Sequence, residues 1–540
     1  MDFLIHHLLR SSASRFPDKE ALVDKEMRLS YESVANQVGG LADGLRQAGL
    51  RRGDRVGIYL DTSVLQALSI LGVSQAGGVF VPINSLLFPD QVAHIAGDCQ
   101  MRGVITTHSK LAALASVLKD ISSLQFAVVI VDGQSEVRSQ KSEVRTQHGA
   151  EHSNTSISIF DFGEMCQSRS ESYSHNVGIG KDLAAILYTS GSTGKPKGVM
   201  LSHEQVMAGS SIVSDYLGIT ASDRIVGVLP LSFDAGLNQL MTAIQQGGTY
   251  VPMTFVFAPE IVKMLQREKI TGMAGVPTLW SLMAQPNSSL GKGALPDLRY
   301  ITNTGGRMPQ TVLSTLRQAL STTRIFLMYG LTEAFRSTYL PPEELDRRPT
   351  SMGKAIPNTE ILVVNDQGQP CKPGETGELV HRGPTVSMGY WGQPELTARV
   401  LKPHPFLPAE LGDSERVCYS GDLVTMDEEG FLYFVGRRDT MIKSSGFRIS
   451  PTEVEEVLFQ SGSVRQAAVI GIPDELLGQS IKAFVVPRDS VSLDPASLIA
   501  FCAQKMPRHM VPKSVEILNE LPKMNNGKVD YVALRQREEV

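Results

Sequence analysis

The stretch 188-YTSGSTGKPKG-198 decides how this chain is to be read. Apolar residues before it predict a strand that ends at Ile186–Tyr188. Thr189, Ser190, Gly191, Ser192, Thr193, Gly194 and Lys195 then follow without interruption. Glycines let a backbone bend close to an anion, hydroxyls donate hydrogen bonds, and lysine adds charge. A triphosphate needs that combination. The loop is not a Walker A motif, because Pro196 stands after Lys195 where Ser or Thr is required, and the glycine spacing differs. A bare GSTG would fit a flexible linker better. The complete string, closed by Pro-Lys-Gly, is far more specific.

Outward from the loop, short β-branched runs alternate with helical patterns. Residues 55–60, 78–83, 103–107 and 126–131 read as buried strands, and 63–76 and 89–99 as helices. Such alternation predicts α/β layering around largely parallel sheets. Residues 133–157 break the pattern with SEVRSQK followed by SEVRTQH, a polar repeat without an apolar face, which reads as a disordered surface insertion. From about Ile361 the texture becomes β-rich. After Gly436 the pattern is that of a small α+β unit. The expected division is therefore residues 1–436 for a large N-terminal domain and 437–540 for a small, mobile C-terminal one.

At 540 residues and 42% hydrophobic composition, more than one core is expected. A net charge of −5 without a basic stripe argues against nucleic acid as a partner. Five scattered cysteines without a CxxC pair point to a reduced, cytoplasmic setting rather than to disulfides or zinc. The N-terminal apolar run, broken by His6 and His7, reads as an amphipathic helix. No stretch approaches the ~20 apolar residues of a membrane span.

Four later strings test the phosphate reading: 329-YGLTE-333, 419-YSGD-422, 436-GRRD-439 followed by 443-KSSGFRI-449, and 522-PKMNNGK-528. ATP travels with Mg2+, so a hard oxygen ligand such as the Glu333 carboxylate belongs near it. Thr332 can hydrogen-bond the α-phosphate, and Tyr329 can cover the adenine face. Asp422 can accept from both ribose hydroxyls, although a Gly-Asp pair also suits an ordinary turn.

In this order the strings resemble the ANL superfamily, which comprises acyl-CoA synthetases, peptide-synthetase adenylation domains and luciferases. The resemblance runs from about Phe16 to Leu534, outside the 133–157 insertion. It implies that Thr189, Ser190, Ser192, Thr193 and Lys195 surround the β- and γ-phosphates, that Arg437 contacts ribose, and that Asp439 is the interdomain hinge. It further implies that Gly446 lines the thiol passage and that Lys528 is the catalytic lysine. Arg438 reads as a solvated turn residue. One departure is Leu327, where family members often carry Asn or Gln. Adenine recognition is then expected to rest on backbone groups around Thr304, Gly305 and Gly306.

The implied reaction is ATP-dependent activation of a carboxylic acid to an acyl-adenylate, then transfer to the phosphopantetheine thiol of CoA or of an acyl carrier protein. The acid is addressed by 230-PLSFDAGLN-238, with Phe233, Asp234 and Asn238 as pocket candidates. Many acyl- and aryl-CoA synthetases carry an aromatic–His pair here. Phe-Asp resembles amino-acid adenylation domains, whose Asp pairs with the substrate ammonium; a helix-capping Asp is the equal alternative. A stand-alone amino-acid-adenylating ligase is thus the second reading. A luciferase-like oxygenase is remote, and a non-catalytic nucleotide-binding module is disfavoured by retention of Lys195, Glu333, Asp422, Arg437 and Lys528. More narrowly, LPLSFDAGLNQL, YGLTEAFRSTYLPPEELDRRP and ELVHRGPTVSMGYW resemble acyl-CoA ligases associated with exosortase A systems.

Overall fold

The computed structural model describes residues 2–25, 27–131, 157–167, 178–189, 196–255, 257–291, 295–412, 415–438, 440–444, 447–474, 477–488, 493–524 and 528–538. The polar repeat at 133–156, the loop residues Ser190–Lys195, Asp439 and Gly446 lie outside the described residues.

Among the described residues the chain builds four sheets. The first has eight strands and is parallel through Arg55–Tyr59, Val79–Pro82, Gly103–Thr107, Phe126–Ile130 and Ser158–Asp161. The second has nine, with a parallel centre that includes Arg224–Gly227, Gly272–Gly275, Tyr300–Asn303 and Arg324–Leu331. Helices Ile5–Arg15, Tyr31–Gln47, Val64–Ala76, His203–Leu217 and Asp234–Gln246 fill the space between them and share one core with both inner faces. Helices on the two outer faces pack separate apolar clusters, which completes a layered α/β body. The local sequence explains the helix limits. Ser63 caps Val64–Ala76 by accepting from the Gln66 amide, and Gly77 ends that helix in the left-handed region at φ 87°. The strands buried on both faces are the β-branched runs.

The third sheet, of five antiparallel strands between Glu360 and Arg437, forms the β-rich part. The fourth, between Ile442 and Ile517, packs against helices Pro451–Gln460, Pro495–Lys505 and Tyr531–Gln536. This is the small α+β unit.

The parallel sheets become antiparallel at one end, and the motif hairpins lie there. Leu183–Thr189 pairs with Lys197–Ser202, so Thr189 and Lys197 face each other at the base of the phosphate loop. Arg324–Leu331 turns back into Ala334–Leu340, so YGLTE is a hairpin turn rather than a lead into a helix. Residues 386–390 join the two hairpins. Val386 bridges to Ala334, while Gly389 and Tyr390 pair with Met200 and Val199.

Candidate active site

The stitching segment 386–390 sets the first contact. The Tyr390 hydroxyl donates to a Glu333 carboxylate oxygen, and the Ser387 amide donates to the Glu333 carbonyl at 2.8 Å. Glu333 is thus oriented from the side of the phosphate loop. Burial and the Glu333 charge push the Tyr390 hydroxyl well above its ordinary pKa, so it remains a donor. Below the loop, Tyr188 donates to Asp98 at 2.6 Å and the Trp391 indole to the Asp98 carbonyl at 3.0 Å.

On the β-rich sheet, Asp422 and Arg437 are register partners on adjacent antiparallel strands, with Arg437 Nη1 3.2 Å from Asp422 Oδ1. The other Asp422 oxygen accepts from the Tyr329 hydroxyl. Tyr329 and Asp422, named from separate motifs, are thus joined directly by a hydrogen bond. Burial, then the Asp422 charge, drives the Tyr329 pKa far up. Gly421 sits at φ +72°, a backbone conformation that favours glycine at the turn before Asp422. Leu327 belongs to the outer apolar core and offers no polar group.

The small unit contributes Lys528. Its Cε lies 3.5 Å from where a Cβ on Gly305 would stand, and the Phe233 ring edge is equally near that point. Gly305 has φ +77°. Burial is the largest influence on Lys528 and pushes its pKa down; Asp234, Asp422 and Glu333 pull it up, and Arg437 opposes it. A lysine from the last segment of the chain thus sits among charges from the YGLTE turn, the β-rich sheet and the helix that begins at Asp234. Arg307 approaches Glu456 at 4.0 Å across the same junction.

Asp234 does not cap the helix that follows it. The helix Asp234–Gln246 starts with Phe233 as its N-cap, and no side chain caps it. Asp234 is buried against Arg336, with Nη1 3.5 Å from Oδ2 and each side chain 5% exposed. Gly236 makes that placement possible. A Cβ there would lie 2.2 Å from the Pro230 carbonyl, so the first turn packs backbone on backbone. Asn238, Thr304 and Arg336 line one narrow cavity of about 20 Å³ behind this pair. Thr304 faces that cavity, whereas Gly306 uses its carbonyl to accept from Asn303 Nδ2 at 2.8 Å. Thr332 is half-buried beside Glu333. Arg438 is an exposed turn residue, as the sequence reading has it; it also pairs with Asp366 at 2.9 Å and lies 3.5 Å from Glu378, whose other oxygen accepts from the Gly421 amide.

Sequence reasoning missed Arg336 and Tyr390. Arg336 had a signal: it is the charged residue in the otherwise uncharged strand Ala334–Leu340, and charge is rarely buried unless paired. Tyr390 had none, because its partner lies 57 residues away.

Two cations, Lys528 and Arg437, and the carboxylates of Asp234, Glu333 and Asp422 influence one another where the small unit delivers its lysine. The class of protein built this way is the adenylate-forming ligase, which uses Mg–ATP to join an acid to a thiol. The chain belongs to the AMP-binding enzyme family: that family's model matches residues 9–391, and the model of its C-terminal domain matches residues 453–528. It is similar to a long-chain-fatty-acid–CoA ligase of Salmonella typhimurium, with 29% identity over 97% of this chain and 92% of that one. It also resembles tyrocidine synthase 1 of Brevibacillus parabrevis, at 28% identity over 98% of this chain and 44% of that protein. The fold matches ATP-bound MatB from Rhodopseudomonas palustris with a TM-score of 0.84, 24% identity and 99% coverage of both chains. No helix among the described residues is long and apolar enough to cross a membrane.

Proposed function

We propose that the groups around Lys528 carry out the two half-reactions in sequence, with residues 437–540 moving as a unit between them about Asp439. In the first, a substrate carboxylate oxygen attacks the α-phosphorus of Mg–ATP. The bond to the bridging oxygen breaks, and pyrophosphate leaves. The Lys528 ammonium stabilises the charge that spreads over the phosphoryl oxygens, Thr332 donates to the α-phosphate, and Glu333 supplies a hard oxygen to the metal. Asp422 holds the ribose hydroxyls, Arg437 supports it, and Tyr329 covers the adenine. The Thr189–Lys195 loop takes the β- and γ-phosphates.

In the second half-reaction a phosphopantetheine thiol, from CoA or an acyl carrier protein, enters past Gly446. Its sulfur attacks the acyl carbon as a thiolate, and AMP leaves. No protein nucleophile is needed. The observation that carries this reading is the convergence of Asp234, Asp422, Glu333 and Arg437 on Lys528. Acid-dependent ATP–pyrophosphate exchange tests it across fatty, aryl, hydroxy and amino acids. Exchange with no acid of any class would refute it.

Amino-acid activation, as the name tyrocidine synthase 1 raises, is the weaker reading. A substrate ammonium beside Asp234 would also lie beside the Arg336 guanidinium. A cytoplasmic setting is supported by five free thiols, four of them buried. Service to an exosortase A system rests on the sequence resemblance alone.

A further inference from the structure

The cavity behind Asp234 bears directly on the acid. Its polar lining comprises Asn238, Gln239, Thr242, Thr302, Thr304 and Arg336. Two donors in that wall are buried and have no hydrogen-bond partner among the described residues: Arg336 Nε and Asn238 Nδ2. Arg336 and Asn238 are 4% and 2% exposed. One lining acceptor, Gln239 Oε1, is likewise unpartnered, while the same side chain donates to the Val226 carbonyl at 3.1 Å. An acceptor oxygen in the cavity, from water or from a ligand, would satisfy such donors. The Asp234–Arg336 contact at 3.5 Å is also longer than a direct charge-assisted hydrogen bond, which leaves the guanidinium able to take a second acceptor.

Size and charge narrow the ligand. A cavity of about 20 Å³ holds roughly one water-sized group, not an alkyl tail. The guanidinium repels an ammonium placed between it and Asp234. Aliphatic neighbours such as Val213, Leu217 and Ala235 complete the wall.

We propose that Arg336 and Asn238 are specificity-determining residues that select a short-chain acid bearing an oxygen acceptor (hydroxyl, oxo or second carboxyl group) a few bonds from the reacting carboxylate. This inference rests on the adenylation reading above and names its substrate class. Long-chain alkanoates and α-amino acids lie outside it.

The test is ATP–pyrophosphate exchange with matched acids: butanoate, 3-hydroxybutanoate, 3-oxobutanoate, succinate, alanine and hexadecanoate. The expected result is a kcat/KM for at least one oxygenated acid about 100-fold or more above butanoate, because a site built to hydrogen-bond a substrate group rejects the analogue without it. Comparison of 3-hydroxybutanoate with succinate separates a neutral from an anionic acceptor. Arg336→Met alone would leave the buried Asp234 carboxylate without its guanidinium, so the variant used is Asp234→Asn with Arg336→Met, alongside Asn238→Leu. Each is expected to bring the oxygenated-to-plain ratio to within about tenfold of unity. A general loss of activity does not move that ratio. Butanoate, alanine or hexadecanoate turned over as well as every oxygenated acid overturns the inference and leaves adenylation standing, as does an unchanged ratio in both variants. Exchange with no acid at all overturns both readings.

Discussion

Replacing Lys528 by Ala removes the cation that the small unit delivers to Gly305. Two unit charges about 4 Å apart at an effective dielectric near 20 attract by about 4 kcal/mol, or roughly three orders of magnitude in rate. Part of that attraction already acts on bound ATP, and only the part that grows in the transition state raises kcat. Loss of a single preorganised donor to an oxyanion costs about 100- to 1000-fold, so adenylation by the variant should fall by that factor. The assay is ATP–pyrophosphate exchange with the best acid of the panel. In parallel, the variant is given pre-formed acyl-adenylate and a thiol, and release of AMP is followed. Thiolysis should stay within about threefold of the parent, because the thiol attacks a carbonyl carbon without the phosphoryl charge that needs the ammonium. The pH profile gives a second reading of the same group. Burial lowers the Lys528 pKa, so the proton is lost at a lower pH than from an ordinary lysine. Adenylation should therefore decline on the alkaline side below the usual lysine range, and the Ala variant should lack that limb. Equal loss of both half-reactions, at an unchanged melting temperature, would refute the division of labour.

Three further outcomes follow from individual contacts. Tyr390→Phe removes the hydroxyl that donates to Glu333; a hydrogen bond to a charged group is worth about 1.5–3 kcal/mol, so exchange at saturating Mg–ATP should fall by at least about tenfold without a change in fold, and unaltered exchange would exclude a positioning role. Arg438→Ala breaks the contacts to Asp366 and Glu378; because the pair with Asp366 is half-exposed and worth at most about 1 kcal/mol, adenylation should drop no more than about fivefold, and a larger fall in pyrophosphate exchange would contradict that weight. Glu455, buried between the Val469 amide and the Tyr531 hydroxyl, has its pKa raised from 4.5 to about 7, chiefly by burial. The folded state then holds that proton more tightly than the unfolded chain, so the stability it contributes is complete below pH 4.5 and is lost as pH rises to about 7. The span is worth about 3 kcal/mol. Glu455→Gln should accordingly raise the melting temperature of the small unit at pH 8 and leave it nearly unchanged at pH 4.5, measured by calorimetry; an equal shift at both pH values would contradict the titration.

What the sequence disclosed and what it withheld divide along physical lines. The strands at residues 55–59, 103–107 and 126–130 were legible because a strand buried on both faces must be a short apolar, β-branched run. Glu333, Asp422 and Lys528 were legible because phosphate, ribose and metal each demand a particular side-chain chemistry within a short backbone context. Arg336 was less so. Its meaning depends on Asp234, 102 positions earlier, and on a helix start whose geometry is set by Gly236 against the Pro230 carbonyl. The Phe-Asp pair was therefore read as a choice between capping the helix and binding an amine, when the fold supplies a third partner. That partner alters the chemistry of the pocket. An isolated buried carboxylate would invite a cation, whereas a carboxylate already facing a guanidinium leaves the surplus hydrogen-bonding capacity on the donor side. The question of which acid is activated thus turns on Arg336 Nε and Asn238 Nδ2, and the proposed substrate is an acid that brings an acceptor oxygen to that wall.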